Sequence, residues 1–582
     1  MKFSEMPYKR PDTEALKQQW TALTQRLEHA ATYEEARAAF LEQQALSRSA
    51  ETQATLASVR HSIDTRDAFY DGEERFWNTF APELEEYEQA WKAAMLASPF
   101  RKDFAAEYGE LMFLNAEIDR KSFAPEIIPE MQQENDLVQA YEKLIASAQI
   151  PFEGKTYTLS QLQPMKTDLD DDRRLAAWKA DSQWSMEHAE ELDTLYDKLV
   201  HLRDAMGRKL GYEGYTTLGY YRMKRNCYTK DDVEKFRAAV RKYLVPVAEK
   251  IYRKQAERLG KSYPLSFADA ALEFRSGNPR PVGTPDDILA QGMKFYGELS
   301  PETKEFFRTM LDDELLDVLS TEGKRAGGYC TGLGDYEVPF IFANFNGTQH
   351  DVEVVTHEAG HAFACWMNRK RVPDSYIWPS LEACEVHSMS MEFFAWPWAE
   401  GFFGPDTRKF LYSHLAGALT FIPYGTMVDH FQHIVYEKPD MTPAERNAAW
   451  KELTAIYTPW LKMDDSDLPF YTEGRRWQRQ SHIYVNPFYY IDYCLAQTVS
   501  LEFWAMIQKD KDNAWQHYMA YTRQGGSRTF TELLQNAGLE SPFDESCLRG
   551  VCAAAEQWLA SFDMTGILSW RRKRSGGVAV TT

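Results

Sequence analysis

His357-Glu358-Ala359-Gly360-His361 sets two histidines four residues apart, with a glutamate directly after the first. At about 100° per residue, positions i and i+4 share one face of a helix, so both imidazoles can reach a single metal ion. Glu358 points partly away from that pair, where it can hold a water molecule and take its proton. The flanks read as helix. Thr348 and Asp351 offer N-terminal caps, and Val354, Val355, Phe363 and Trp366 supply an apolar stripe. Two ordinary helix histidines would satisfy the same five residues, so the decision rests on what the rest of the chain supplies.

A catalytic zinc usually takes three protein ligands and leaves one position open. The metzincin pattern needs a histidine six residues after His361, where Met367 stands, and a glycine at Ala364. Schemes with a glutamate 19 or 20 residues on meet Ser380 and Leu381. Next comes Ser380-Leu-Glu-Ala-Cys-Glu-Val-His-Ser-Met-Ser-Met-Glu392, which reads as a second helix opening after Pro379. Glu382, Glu385 and Glu392 fall on nearly one face of it. Three carboxylates facing one way on an otherwise apolar helix are costly to bury without a cation. The alternative is a solvated acidic edge.

With these residues the chain resembles the oligoendopeptidase F and thimet oligopeptidase family of zinc metallopeptidases. That family carries His-Glu-x-Gly-His and then a segment like Glu-Val-Ala-Ser-x-x-x-Glu, which Glu385-Val-His-Ser-Met-Ser-Met-Glu392 matches in spacing, glutamates and serine. The resemblance implies one zinc ion per chain held by His357, His361 and Glu385, with Glu382 the fallback. Glu358 is then the general base and acid, and Glu392 accepts from a liganding imidazole. His387 stands where the family often has alanine and receives no role. Gly327-Gly-Tyr-Cys330 and Pro339 to Gly347 look like the two short strands preceding the zinc helix, and an extended peptide is expected to pair with the 339–347 strand. His482-Ile-Tyr-Val-Asn-Pro-Phe-Tyr-Tyr-Ile-Asp-Tyr493 resembles the family's His/Tyr-rich segment. It offers His482 and Tyr490 or Tyr493 as donors to an oxyanion, with the register between the tyrosines open. The likeness spans about 160 to 565 and includes Asp170-Asp-Asp-Arg-Arg174, Gly211-Tyr212 and Ser541-Pro-Phe. His430 and His433 form a second histidine pair, read as structural.

The implied activity is endopeptidase cleavage of short peptides. One rival is a helical zinc carboxypeptidase, whose His-Glu-Ser-Gln segment Glu385-Val-His-Ser lacks. The other is a peptide-binding protein without catalysis. A net charge of −21 argues against nucleic acid as a partner. The most apolar run, Leu415 to Val428, is broken by Gly417, Pro423 and Gly425 and is too short for a membrane span. The N-terminus shows no secretory signal, and seven scattered cysteines fit reduced thiols in a cytoplasm.

The expected fold is mainly α: two helical walls around a deep substrate channel, with a small β element beside the zinc helix. Residues 12–60, 73–98, 101–148 and 170–210 carry apolar positions at helical spacing among strong helix formers. The expected division is an N-terminal helical region, 1–200, a catalytic region, 201–570, and a frayed tail, 571–582.

Overall fold

The computed structural model describes residues 1–325, 327–463, 467–565 and 567. Helices dominate, and the strands are few and short, in line with the expected mainly α class. The packing separates two units, each gathered from three stretches of chain: 1–120, 280–404 and 506–539 in the first, and 121–279, 405–505 and 540–582 in the second. The expected boundary near residue 200 falls inside the continuous helix Ala189–Lys209, which belongs wholly to the second unit. The division therefore follows tertiary contact and not chain order. The expected tail, 571–582, lies outside the described residues.

In the first unit, 12–60 is two helices, Thr13–Glu28 and Tyr33–Ile63, followed by Ala68–Ala97. Each opens on a side chain that takes up otherwise unpaired amide donors: Asp12 accepts from Ala15, Thr32 from Glu35, and Asp67 from Phe69 and Tyr70. Their facing sides close a core around Trp20, Phe40, Trp77, Phe80, Trp91 and Phe104.

The same unit holds a three-stranded sheet. Val338–Phe345 is its central strand, parallel to Leu316–Leu319 and antiparallel to Tyr329–Leu333. The central run Val-Pro-Phe-Ile-Phe-Ala-Asn-Phe is buried almost throughout, as a strand covered on both faces must be. This corrects one expectation. The strand read as 339–347 is the middle one, paired on one side over Ile341–Phe345 and on the other over Val338–Phe342, so it offers a peptide no full-length edge. The free edge on that side belongs to Tyr329–Leu333.

The second unit is built on long helices, among them Ile128–Ala146, Asp171–Glu187, Ala189–Lys209, Val245–Leu259, Thr407–Glu437 and Pro443–Tyr457. Between the first two of these helices the chain forms a hairpin, Ile150–Phe152 with Lys155–Tyr157. Its two turn residues, Glu153 and Gly154, both have positive φ (48° and 75°), the conformation that a two-residue hairpin turn requires.

Candidate metal centre

The centre lies within the first unit and is made by two helical runs. The first leaves the central strand through a tight turn in which the buried Asp351 carboxylate accepts from the amides of Asn346 and Gly347, both at 2.8 Å. Asp351 thus anchors the strand-to-helix corner, whereas Thr348 makes no side-chain cap. The run continues as Gln349–Glu353, a wider π-helical turn over Val354–Glu358, and Ala359–Asn368. Such a turn displaces backbone groups from regular pairing and recurs at functional sites. Here the buried Tyr296 hydroxyl donates to the Val355 carbonyl at 2.8 Å. No sequence signal announced this turn.

The second run, Leu381–Phe394, packs closely on the first at Gly360. A Cβ at that glycine would lie 2.8 Å from Ser388 Cα and 2.9 Å from the His387 carbonyl oxygen, so only a bare backbone allows this approach. The contact brings Glu385 to the histidines. Its Oε2 lies 3.4 Å from His357 Nε2 and 3.5 Å from His361 Nε2, and these three residues form the one group of metal-competent donors found among the described residues. Donor atoms about 2.0–2.2 Å from a tetrahedral zinc are about 3.3–3.6 Å apart, so the spacing suits such an ion and the two-histidine, one-glutamate set suits a catalytic one. Burial pushes the Glu385 carboxyl upward, but His361 and His357 outweigh it and hold the group below the usual carboxylate range.

Behind the donors, His357 Nδ1 donates to Glu392 Oε1 at 2.6 Å, which leaves its Nε2 lone pair facing Glu385 and His361. The Ser388 hydroxyl donates to Glu385 Oε2 at 3.1 Å. Glu358 is half-buried on the same run and electrostatically coupled to Cys330 on the edge strand. The fallback ligand, Glu382, accepts from Ser380 at the helix start and stands outside the donor group. His387 is buried against Tyr518 and Tyr521, and burial together with the His361 charge pushes its pKa down to about 3. A neutral ring in an aromatic wall accounts for its presence there.

The other sequence-derived residues lie in the second unit. His482, Tyr490 and Tyr493 share one aromatic cluster, with the His482 ring centroid 4.9 Å from that of Tyr490 and 5.8 Å from that of Tyr493. Sequence reading missed the residues that orient it. Tyr424 donates to Gln480 Oε1 at 2.8 Å, and Gln480 Nε2 donates to His482 Nδ1 at 3.0 Å. That chain fixes the His482 proton on Nε2, and burial lowers its pKa, so the ring is a neutral donor. Gly425 admits the cluster: a Cβ there would meet Cys494 Sγ and the Tyr490 ring. His430 and His433 face Tyr457 and Tyr220 and stand outside the donor group, in keeping with a structural role.

Residues 302–551 match the model of peptidase family M3, and residues 3–123 match that of the peptidase M3 N-terminal domain. A solved structure described provisionally as an oligoendopeptidase F is 44% identical, with 97% of this chain and 99% of that one covered at a TM-score of 0.90. The chain belongs to peptidase family M3. A second solved structure, PZ peptidase A with an inhibitor, is also 44% identical over 97% of this chain and 100% of its own, at a TM-score of 0.90. Oligopeptidase PepF of Bacillus subtilis (strain 168) is 23% identical over 363 residues, 57% of this chain and 52% of that protein. The chain thus spans about half the length of the curated M3 relatives it matches.

Proposed function

We propose that the protein is a zinc-dependent endopeptidase of short peptides. The observation that carries this reading is the triangle of His357 Nε2, His361 Nε2 and Glu385 Oε2, with Glu392 holding His357 from behind. A zinc ion bound there supplies Lewis acidity toward a water molecule and the scissile carbonyl. Glu358 takes the proton of the attacking water and delivers it to the leaving amine. His482, through its Nε2 proton, and Tyr490 or Tyr493, through a phenol, donate to the developing oxyanion, the role that the family resemblance implies. The peptide main chain adds to the free edge of Tyr329–Leu333. Backbone pairing of this kind is blind to side chains, which supports broad acceptance of sequences, and its need for an extended segment supports little action on folded proteins.

Among the described residues no helix is long and apolar enough to cross a membrane, and no disulfide joins any of the seven cysteines. A reducing cytoplasm fits those thiols. The test is mass spectrometry of an end-blocked peptide incubated with zinc-loaded protein. Internal cleavage that ceases on chelation is the expected result. Cleavage that requires a free C-terminus would establish a carboxypeptidase instead, and binding without cleavage would establish a binder.

A further inference from the structure

The free strand edge borders a feature that the reaction chemistry leaves unused. Beside Tyr329, Cys330 and Thr331 lies a cleft of ≈ 580 Å³, its other wall formed by the helices Tyr33–Ile63 and Ala68–Ala97. Ser58, Glu74 and Trp77 lie in that helical wall. Neighbouring acids on the second helix are already neutralised: Glu73 receives the guanidinium of Arg10, and Asp71 that of Arg75. Glu74 differs. It is half-buried, accepts a long hydrogen bond of 3.4 Å from the Ser58 hydroxyl, and forms no ion pair among the described residues. A carboxylate on a cleft wall without a counter-charge can accept a charge-assisted hydrogen bond from a cation that enters the cleft.

The adjoining cleft of ≈ 310 Å³, along Thr331 to Gly334, is a contrast. That cleft already holds a cation: Arg48 bonds Asp374 at 2.8 and 2.6 Å and also acts electrostatically on Glu51, another carboxylate of its wall. An extended peptide on the strand edge sends alternate side chains to opposite sides, so one side chain beside Thr331 has access to the larger cleft. A lysine or arginine can rest its alkyl stem on apolar wall, with Trp77 at hand, while its head meets Glu74.

We propose that this cleft is a substrate subsite for a basic side chain, with Glu74 as the residue that selects it. The proposal rests on the peptide-cleaving reading above and adds a preference at one position to an otherwise tolerant enzyme. It also gives the N-terminal M3 region a part in recognition.

The test uses full-length, zinc-loaded protein and end-blocked octapeptides in which arginine, glutamine or glutamate is placed at one position at a time. Wild type should cleave the arginine peptide best at one position. Glu74→Gln should raise KM for that peptide and lower its kcat/KM by about tenfold, the worth of one charge-assisted hydrogen bond, while the glutamine peptide is unchanged. Glu74→Lys should invert the order in favour of glutamate, and an unshifted melting temperature for both variants excludes a folding defect. An identical arginine-to-glutamine ratio in wild type and Glu74→Gln at every position would overturn the subsite and leave the peptidase reading standing. Failure of wild type to cleave any of the peptides would overturn that reading, and the substrate subsite with it.

Discussion

At the residue scale, Glu358 and Glu392 are both carboxylates beside the histidines, yet they do different work and should fail differently. Glu358→Gln keeps every donor of the centre, so isothermal titration should show near-normal zinc binding while peptide turnover falls by about 10²–10⁴-fold, the usual worth of a positioned general base. Glu392→Gln leaves Glu358 in place but weakens the hold on His357 Nδ1, and should cost about 10–100-fold in zinc affinity. Near-normal turnover in Glu358→Gln, or unchanged zinc affinity in Glu392→Gln, would refute the respective role. The motif spacing nominated His357, Glu358 and His361, and the second helix with its family resemblance turned the reading away from two ordinary histidines. Glu385 was not separable from Glu382 and Glu392 by spacing, because all three share a helical face. What separates them is the approach at Gly360 and the Ser380 hydroxyl that takes Glu382, both of them tertiary or capping details. Gln480 and Tyr424 were invisible for the same reason: they act through a contact between residues 56 positions apart.

At the scale of elements, the junction of the two helical runs is tight and rigid. Gly360→Ala places a methyl group against backbone on the facing helix, which cannot rotate away as a side chain could. Overpacking of this kind costs about 1–3 kcal/mol. It should lower the melting temperature and, by pushing Glu385 back from the imidazoles, also weaken zinc binding, as thermal melts with and without metal would show. Normal zinc affinity in a folded Gly360→Ala protein would mean that the helices do not need this approach. The sheet offers a parallel case. The sequence marked both strands as strands but did not tell the middle one from the outer one. The signal was present: Phe340-Ile-Phe-Ala343 is apolar at every position, the pattern of a strand covered on both faces, whereas Tyr329-Cys-Thr-Gly-Leu333 is mixed. N-methylation of a substrate peptide at the amides that pair with Tyr329–Leu333 should reduce kcat/KM by about 2–12-fold per hydrogen bond lost. Methylation without effect at every position would exclude strand pairing.

At the scale of the whole molecule, all three donors and Glu392 belong to the first unit, so metal binding should stabilise that unit selectively. Ligand present at a hundredfold over its Kd adds about 2.7 kcal/mol to the state that binds it. Hydrogen exchange in 349–368 and 381–394 should therefore accelerate on chelation and recover with zinc, with 189–209 unchanged as an internal reference. Equal acceleration in all three segments would contradict a centre confined to one unit. The mainly helical class was readable from local composition. The composition of the units was not, since nothing in a linear pattern tells which distant stretches share a core.

That interleaving bears on how the protein comes to be made. The first unit includes Met1 and Leu539, so the body carrying the metal centre cannot close until nearly the entire chain has left the ribosome. At about 5–20 residues per second that takes about half a minute to two minutes. The nascent polypeptide spends this interval with its three candidate metal donors translated but the unit around them incomplete. Gathering 1–120, 280–404 and 506–539 into one body leaves the metal centre unsupported until the last of these stretches has emerged.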